Sequence, residues 1–340
     1  MNRVDSIILR VARSVLDGEE PCRDELLECA RLGDREDHYQ LLACANRIRI
    51  KHFANTVRLC SIGAGKLGAC SEDCKWCAQS AAYSPGRTHP ELVAAGDLAA
   101  AAGNAADKGA SSFGIVNSGR RPGQSDFLAV LDAADRIRRN VSGRMKLCAS
   151  LGSLTSDQAA RLVDAGITRY NHNLETSERM FAQMVTTHCY RDRIETLRIA
   201  KDAGLSLCAG GIFGLGETWE DRIDMGLTLR DDIRPDVVPL NFLTPIPGTP
   251  LADAKPLNAR EILNIIAIYR LMLPDTDIKI AGGREVNLRD MQSWIFYAGA
   301  TSILVGNYLT TAGRSADDDL TMIDDLDMEI VDHSGRPIEP

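Results

Sequence analysis

Three cysteines stand close together in this chain, in the run Cys70-Ser71-Glu72-Asp73-Cys74-Lys75-Trp76-Cys77. A C-x3-C-x2-C spacing lets three thiolates converge on one metal centre, and thiolates are the usual ligands of iron–sulfur clusters. A closed structural zinc site takes four ligands, and the next candidates in the chain, His52, Cys60 and His89, lie outside the run. Three ligands on a four-iron cluster leave one iron open to bind something else. A zinc site, or an accidental grouping, is the competing reading of the same residues.

The remaining cysteines of the ten are scattered: Cys22, Cys29, Cys44, Cys60, Cys148, Cys189 and Cys208. Residues 1–17 carry charges at the helical period, not the unbroken apolar stretch of a secretion signal. A cytoplasmic protein is therefore expected, in which cysteine serves metal binding or catalysis and not disulfides. No apolar run of ~20 residues exists, so no membrane span is expected. With 39 basic against 47 acidic residues, the net charge of −8 argues against a nucleic-acid partner.

Something must hold these residues in place, and the chain offers a regular alternation. Runs at 57–62, 111–118, 145–151, 168–173, 205–212, 237–242, 277–281 and 301–305 read as strands. Helical patterns lie between them, at 91–109, 125–140, 156–165, 191–203, 218–232, 258–272 and 288–299. Eightfold alternation predicts an α/β protein with a TIM-type (β/α)8 barrel, an open doubly wound sheet being the alternative. Residues 1–52 read as an N-terminal helical cap, 53–311 as the barrel and 312–340 as a short acidic C-terminal tail exposed to solvent.

Strand parity then says which residues face inward. Cys60 alternates with apolar Leu59, Cys148 with Leu147 and Ala149, and Cys208 with Leu207. Helices cover the outside of such a barrel, so these three cysteines are predicted to share its lumen. On the fourth strand, Asn171, Asn173 and Glu175 fall on the inward face, whereas His172 falls on the outer one and reads as a packing residue.

With Trp76 just before its last cysteine, the cysteine run resembles the signature of radical S-adenosylmethionine enzymes. In that superfamily the open iron is chelated by the amino and carboxylate groups of S-adenosylmethionine, whose reductive cleavage yields a 5′-deoxyadenosyl radical. The run Gly210-Gly211-Ile212-Phe213-Gly214-Leu215-Gly216-Glu217 resembles the segment that supports the adenine there. The stretch Tyr170-Asn171-His172-Asn173-Leu174-Glu175-Thr176-Ser177 is similar to a motif of the biotin synthase family. So are Lys51-His52-Phe53, Gly248-Thr249-Pro250-Leu251, Gly283-Arg284-Glu285 and Leu309-Thr310-Thr311.

The resemblance implies insertion of sulfur into dethiobiotin across a methylene and a methyl carbon, at the expense of two S-adenosylmethionine molecules. It implies a 4Fe–4S cluster on Cys70, Cys74 and Cys77, with Trp76, Asn173, Glu175 and Arg193 around S-adenosylmethionine. Asn173 and Asn241 would hold the substrate's ureido ring. The sulfur would come from an auxiliary 2Fe–2S cluster, to which Cys148, Cys208 and Arg284 correspond as ligands. An external electron donor, an iron–sulfur assembly system and a homodimer are further implications. The position of the remaining auxiliary ligand is Gly114, which offers none, and Cys60 on the adjacent strand is the expected replacement. Loss of that ligand also suits a relative that does not insert sulfur, and a third reading is a binding protein without turnover.

Overall fold

The computed structural model describes residues 6–31, 35–83, 91–141, 143–306 and 313–338. Its centre is a ring of eight parallel strands: β1 (Thr56–Leu67), β2 (Ser112–Asn117), β3 (Lys146–Ser150), β4 (Arg169–Asn171), β5 (Ser206–Cys208), β6 (Val237–Phe242), β7 (Asp277–Ile280) and β8 (Ser302–Leu304). Each pairs with the next, and β8 pairs back onto β1, Arg58 beside Ser302 and Cys60 beside Leu304. The barrel is closed, which removes the open sheet. Outward residues such as Phe113, Ile115, Tyr170, Ile278, Ile280 and Ile303 are buried under the surrounding helices.

Two strands differ from the sequence reading for visible reasons. β1 runs beyond residue 62 because Gly63 and Gly65 let it press on β2. A Cβ at Gly63 would sit 2.7 Å from Phe113, and one at Gly65 would sit 2.5 Å from Asn117. The extension carries the chain up to the cysteine run. The run expected at 205–212 breaks into β5 and a short strand, Gly211–Phe213. Pro239 on β6 has no N–H for the ladder, so pairing lapses after Cys208 with Val237 and resumes at Gly211 with Leu240.

The N-terminal residues form α1 (Ile7–Leu16), α2 (Arg23–Ala30) and α3 (Arg35–Phe53). They cover the barrel helix Ala259–Met272, whose Ile262, Leu263, Ile265 and Ile266 are all fully buried. Arg23 pairs with Asp224 at 2.6 Å, tying α2 to the helix Trp219–Leu227.

The acidic tail is a correction. Helix Ala316–Asp324 turns Asp319, Met322 and Ile323 inward at i, i+3 and i+4, so its carboxylates are not all solvated. Residues Glu329–Ile330 pair in parallel with the start of β1. Leu309-Thr310-Thr311 lies outside the described residues. Among those described, no helix is long and apolar enough to cross a membrane.

Candidate functional site

The cysteine run leaves the C-terminal end of β1 and folds back on itself. The Cys70 amide donates to the Gln79 carbonyl at 3.0 Å, and the Ala81 amide donates to the Cys70 carbonyl at 2.8 Å. The acidic residues inside the run clamp it to the segment after helix Glu178–Met184. Asp73 accepts from the amides of Thr186 at 2.9 Å and Thr187 at 3.2 Å, and Glu72 pairs with His188. Burial alone would raise the Asp73 carboxyl, but the threonine hydrogen bonds outweigh it and bring it down to about 2. Asp73 therefore carries its full charge at neutral pH. Nothing in the local sequence announced it, because its halves are more than a hundred residues apart.

Cys70 and Cys74 are nearly buried, and Cys77 is partly so. Burial pushes the Cys74 thiol up to about 12 and the Cys77 thiol up to about 11. Such thiols ionise when a metal centre supplies the compensating charge. Among the described residues, no three His, Cys, Asp or Glu side chains are gathered as a site for a single metal ion.

One cavity of about 490 Å³ is lined by Cys70, Cys74, Cys77 and Trp76 together with Asn173, Glu175, Arg193 and Asn241. The Arg193 guanidinium donates to the Asn173 carbonyl at 2.8 Å and lies 3.6 Å from the Glu175 carboxylate. The Asn173 amide donates to Glu175 at 3.3 Å while its oxygen accepts from the Gly210 amide at 3.2 Å. Glu175 takes a left-handed backbone, φ 73°, rare for a side chain of its size. That kink is fastened by the Ile212 amide, which donates to the Glu175 carbonyl at 2.7 Å. Gly211 is required beside it, since a Cβ there would come within 2.6 Å of the same carbonyl.

Asn241 bridges two backbones, donating to the Gly211 carbonyl at 3.1 Å and accepting from the Gly282 amide at 2.9 Å. Each end of its amide keeps capacity for one more bond. His172, expected on the outer face, lines the cavity instead. β4 ends at Asn171, so the strict alternation no longer holds at the next residue.

Three more thiols face the lumen, Cys208 among the residues that line this cavity and Cys60 and Cys148 beside it. The Lys279 ammonium donates to Cys208 Sγ at 3.5 Å and to Cys60 Sγ at 3.6 Å. Cys148 completes the group, its thiol pushed up to about 12 by burial and drawn back by Arg169. For Lys279 burial works against the charge, but the facing cysteines Cys208, Cys60 and Cys148 outweigh it and raise its pKa. Cys60 and Gly114 do not share a layer. Cys60 pairs with Ser112, whereas Ile62 flanks Gly114, with Cys148 on its other side. A side chain at 114 would meet only ordinary contacts, Ile62 at 3.4 Å and Asn171 at 3.5 Å.

Arg284 is not among these groups, which corrects the expectation that it faces the auxiliary cluster. It starts the helix Arg284–Leu288 beyond the end of β7, where strand parity no longer aims a side chain. Its guanidinium is committed to the buried carboxylate of Asp319, to Gln292 at 2.6 Å and to the Leu304 carbonyl. The β7 cation that faces the thiols is Lys279, which alternates with outward Ile278 and Ile280 and was legible by that parity.

Among the buried polar atoms of the described residues that have no hydrogen-bond partner, four belong to residues of this one cavity: Gln79 Nε2, Asn117 Oδ1, Asn171 Oδ1 and Arg193 Nε. Unsatisfied groups of this kind are expensive to bury. Gathered round one cavity beside three cysteines, they fit a polar, charged ligand bound next to a thiolate-held cluster.

Comparison with known proteins agrees with this geometry. The model of the radical SAM superfamily matches residues 67–228, and that of the biotin and thiamin synthesis associated domain matches residues 239–329. A biotin synthase of Trichlorobacter lovleyi is 45% identical over 96% of this chain and 97% of its own length. One from Syntrophotalea carbinolica is 46% identical over 89% of this chain and 95% of its own. Among solved structures, methylornithine synthase (PylB) superposes with a TM-score of 0.82 at 18% identity, over 95% of this chain and 98% of that one. The FeFe-hydrogenase maturase HydG from Carboxydothermus hydrogenoformans does so with a TM-score of 0.78 at 15% identity, over 95% and 79%. At such identities these two likenesses concern the fold alone.

Proposed function

The chain belongs to the biotin synthase family of radical S-adenosylmethionine enzymes, and on that footing we propose that it converts dethiobiotin to biotin by inserting sulfur between two unactivated carbons. The observation that carries this reading is the presence of two separate thiol sets in one barrel. One set is the clamped loop of Cys70, Cys74 and Cys77, and the other is the lumen trio of Cys60, Cys148 and Cys208 around Lys279.

When bound, the loop's 4Fe–4S cluster and S-adenosylmethionine supply a primary carbon radical, which can take hydrogen from C–H bonds that no side-chain base can ionise. The chain's own residues bind and orient. Cys70, Cys74 and Cys77 hold the cluster. Glu175 and Asn173 offer a carboxylate and an amide to the ribose hydroxyls, and Arg193 offers its unpartnered Nε to the carboxylate of S-adenosylmethionine. Trp76 adds an apolar wall to that pocket. Asn241, with a donor and an acceptor to spare, suits the cyclic urea of dethiobiotin, as does Asn173.

The lumen trio holds the auxiliary cluster, a 2Fe–2S centre in the family the sequence resembles, with Cys60 in place of the ligand missing at Gly114. The Lys279 ammonium balances thiolate charge there, a task that Arg284, bound to Asp319, does not perform. An external electron donor and a homodimer complete the reading.

A relative that cleaves S-adenosylmethionine without inserting sulfur is not favoured, since biotin synthases match nearly the whole chain. The test is an anaerobic reaction with reductant, S-adenosylmethionine and dethiobiotin. Biotin should form with two equivalents each of methionine and 5′-deoxyadenosine. Cleavage of S-adenosylmethionine with dethiobiotin recovered unchanged would overturn the reading.

A further inference from the structure

The barrel has a second opening at the end opposite the cysteine loop. A cavity of about 770 Å³ is lined there by residues at the N-terminal starts of the strands, among them Arg58, Lys146, Arg169 and Ser302. It runs from exposed Glu19 and Glu20, in the turn after α1, inward to buried Cys60. Lys279 lines this cavity and the upper one alike, so its ammonium divides them.

At depth this lower cavity carries more cations than carboxylates, Arg58, Lys146, Arg169 and Lys279 against Asp236 and Asp277. Among the described residues Lys146, Arg169 and Lys279 have no carboxylate at ion-pair distance, and Arg169 bonds only the Ser206 hydroxyl at 3.3 Å. Two carboxylates, Asp236 and Asp277, line the same cavity at the strand starts; Asp277 lies 4.0 Å from the Arg58 guanidinium, and the two act on Lys146 and Arg169 only from beyond ion-pair distance. Asp236 accepts from the Leu207 amide at 2.8 Å, and Asp277 accepts from the Thr301 hydroxyl at 2.6 Å. Ser302 is almost fully buried, and its Oγ, on the lining of the cavity, has no partner. Unpaired cations and an unsatisfied hydroxyl around a cavity that reaches the surface form a site for a small anion. Balancing thiolate charge in the lumen would need Lys279 and Arg169 but no opening to solvent.

We propose that this lower cavity is the entry port for hydrosulfide, which passes Arg58 and Lys146 to reach Cys60. The proposal rests on the sulfur-insertion reading, in which each turnover removes a sulfur atom from the lumen and so requires a replacement. A small anion can take this route while substrate and S-adenosylmethionine occupy the upper cavity. The two cargoes then enter by opposite ends of one barrel.

The test uses holoenzyme after one turnover, given ferrous iron and 34S-hydrosulfide under anaerobic conditions. The readout is the rate at which label enters the acid-labile sulfide of the protein. Lys146→Glu should slow this uptake at least about fivefold, because it reverses the field at the port, while S-adenosylmethionine cleavage continues at the wild-type rate. Added salt should slow the wild type more than the variant. Arg121→Glu, at the rim of the upper cavity, should leave uptake unchanged. Wild-type uptake by Lys146→Glu, or slowing by Arg121→Glu in its place, would overturn the port. Should Lys146→Glu fail to fold, Lys146→Gln carries the same comparison with a smaller slowing. A wild type that takes up no label but cleaves S-adenosylmethionine would instead overturn the sulfur-insertion reading, and the port with it.

Discussion

The ammonium of Lys279 lies 3.6 Å from the sulfur of Cys60, two strands away around the closed barrel. That contact places Cys60 among the lumen thiols and gives it a cation able to stabilise a thiolate. Cys208 touches the same ammonium from the other side. The function proposed above depends on this group acting as one site.

If it does, Cys60→Ser should remove the auxiliary cluster and spare the one at Cys70, Cys74 and Cys77. Iron and sulfide analysis with Mössbauer spectra of the reconstituted variant checks this. A Cys60→Ser protein that still carries both clusters would show that Cys60 is a buried free thiol.

Glu175 and Arg193 face each other across the cavity wall at 3.6 Å. Glu175→Gln keeps the shape but removes a charged acceptor, and charge-assisted hydrogen bonds contribute about 1.5–3 kcal/mol. The Kd for S-adenosylmethionine should therefore rise roughly tenfold or more, measured by equilibrium dialysis. The iron content should stay that of wild type, since no ligand is lost.

The Arg284–Asp319 pair is fully buried on both sides. Breaking such a pair strands a charge and costs about 3–5 kcal/mol. Asp319→Asn should lower thermal stability sharply, whereas Asp317→Asn, on the exposed side of the same helix, should not. Equal midpoints for the two variants in a melting experiment would contradict the buried pair.

Asp221 accepts from the Ser177 hydroxyl at 2.6 Å and from Arg179 Nε at 3.0 Å. Burial alone would raise its carboxyl, but these bonds and those from Thr218 prevail and bring it down to about 2. A depressed folded pKa means stability that is complete above the unfolded value, about 4, and lost as pH falls toward about 2. The stability gap between wild type and Asp221→Asn should be widest at neutral pH and close across that window. Melting temperatures of both proteins from pH 7 downward read it, and a gap that is constant with pH would contradict the assignment.

The strands were legible because period-two alternation of apolar and polar residues is local, and so were the cysteine loop and the inward aim of Cys60, Cys148 and Cys208. Register was not legible. Parity says that Cys60 faces the lumen, but only the pairing of Cys60 with Ser112 and Ile62 with Gly114 reveals that Cys60 lies a layer below the expected position. Arg284 misled because the resemblance made it an auxiliary-cluster ligand, whereas the chain has already left β7 and entered a helix there. The tail misled because its composition is acidic throughout, while burial of Asp319 depends on a cation 35 residues earlier. The Asp73 and Glu72 clamp is a long-range contact of the same kind.

The most direct test of the central claim, a second cluster in a barrel that lacks a ligand at Gly114, is to remove the first one. Cys70, Cys74 and Cys77 would be replaced together by alanine, and iron, sulfide and Mössbauer spectra recorded beside wild type after anaerobic reconstitution. The account expects a cluster to remain in the triple variant, held by the thiols around Lys279. A triple variant without iron, beside a wild type with a single four-iron cluster, would contradict it.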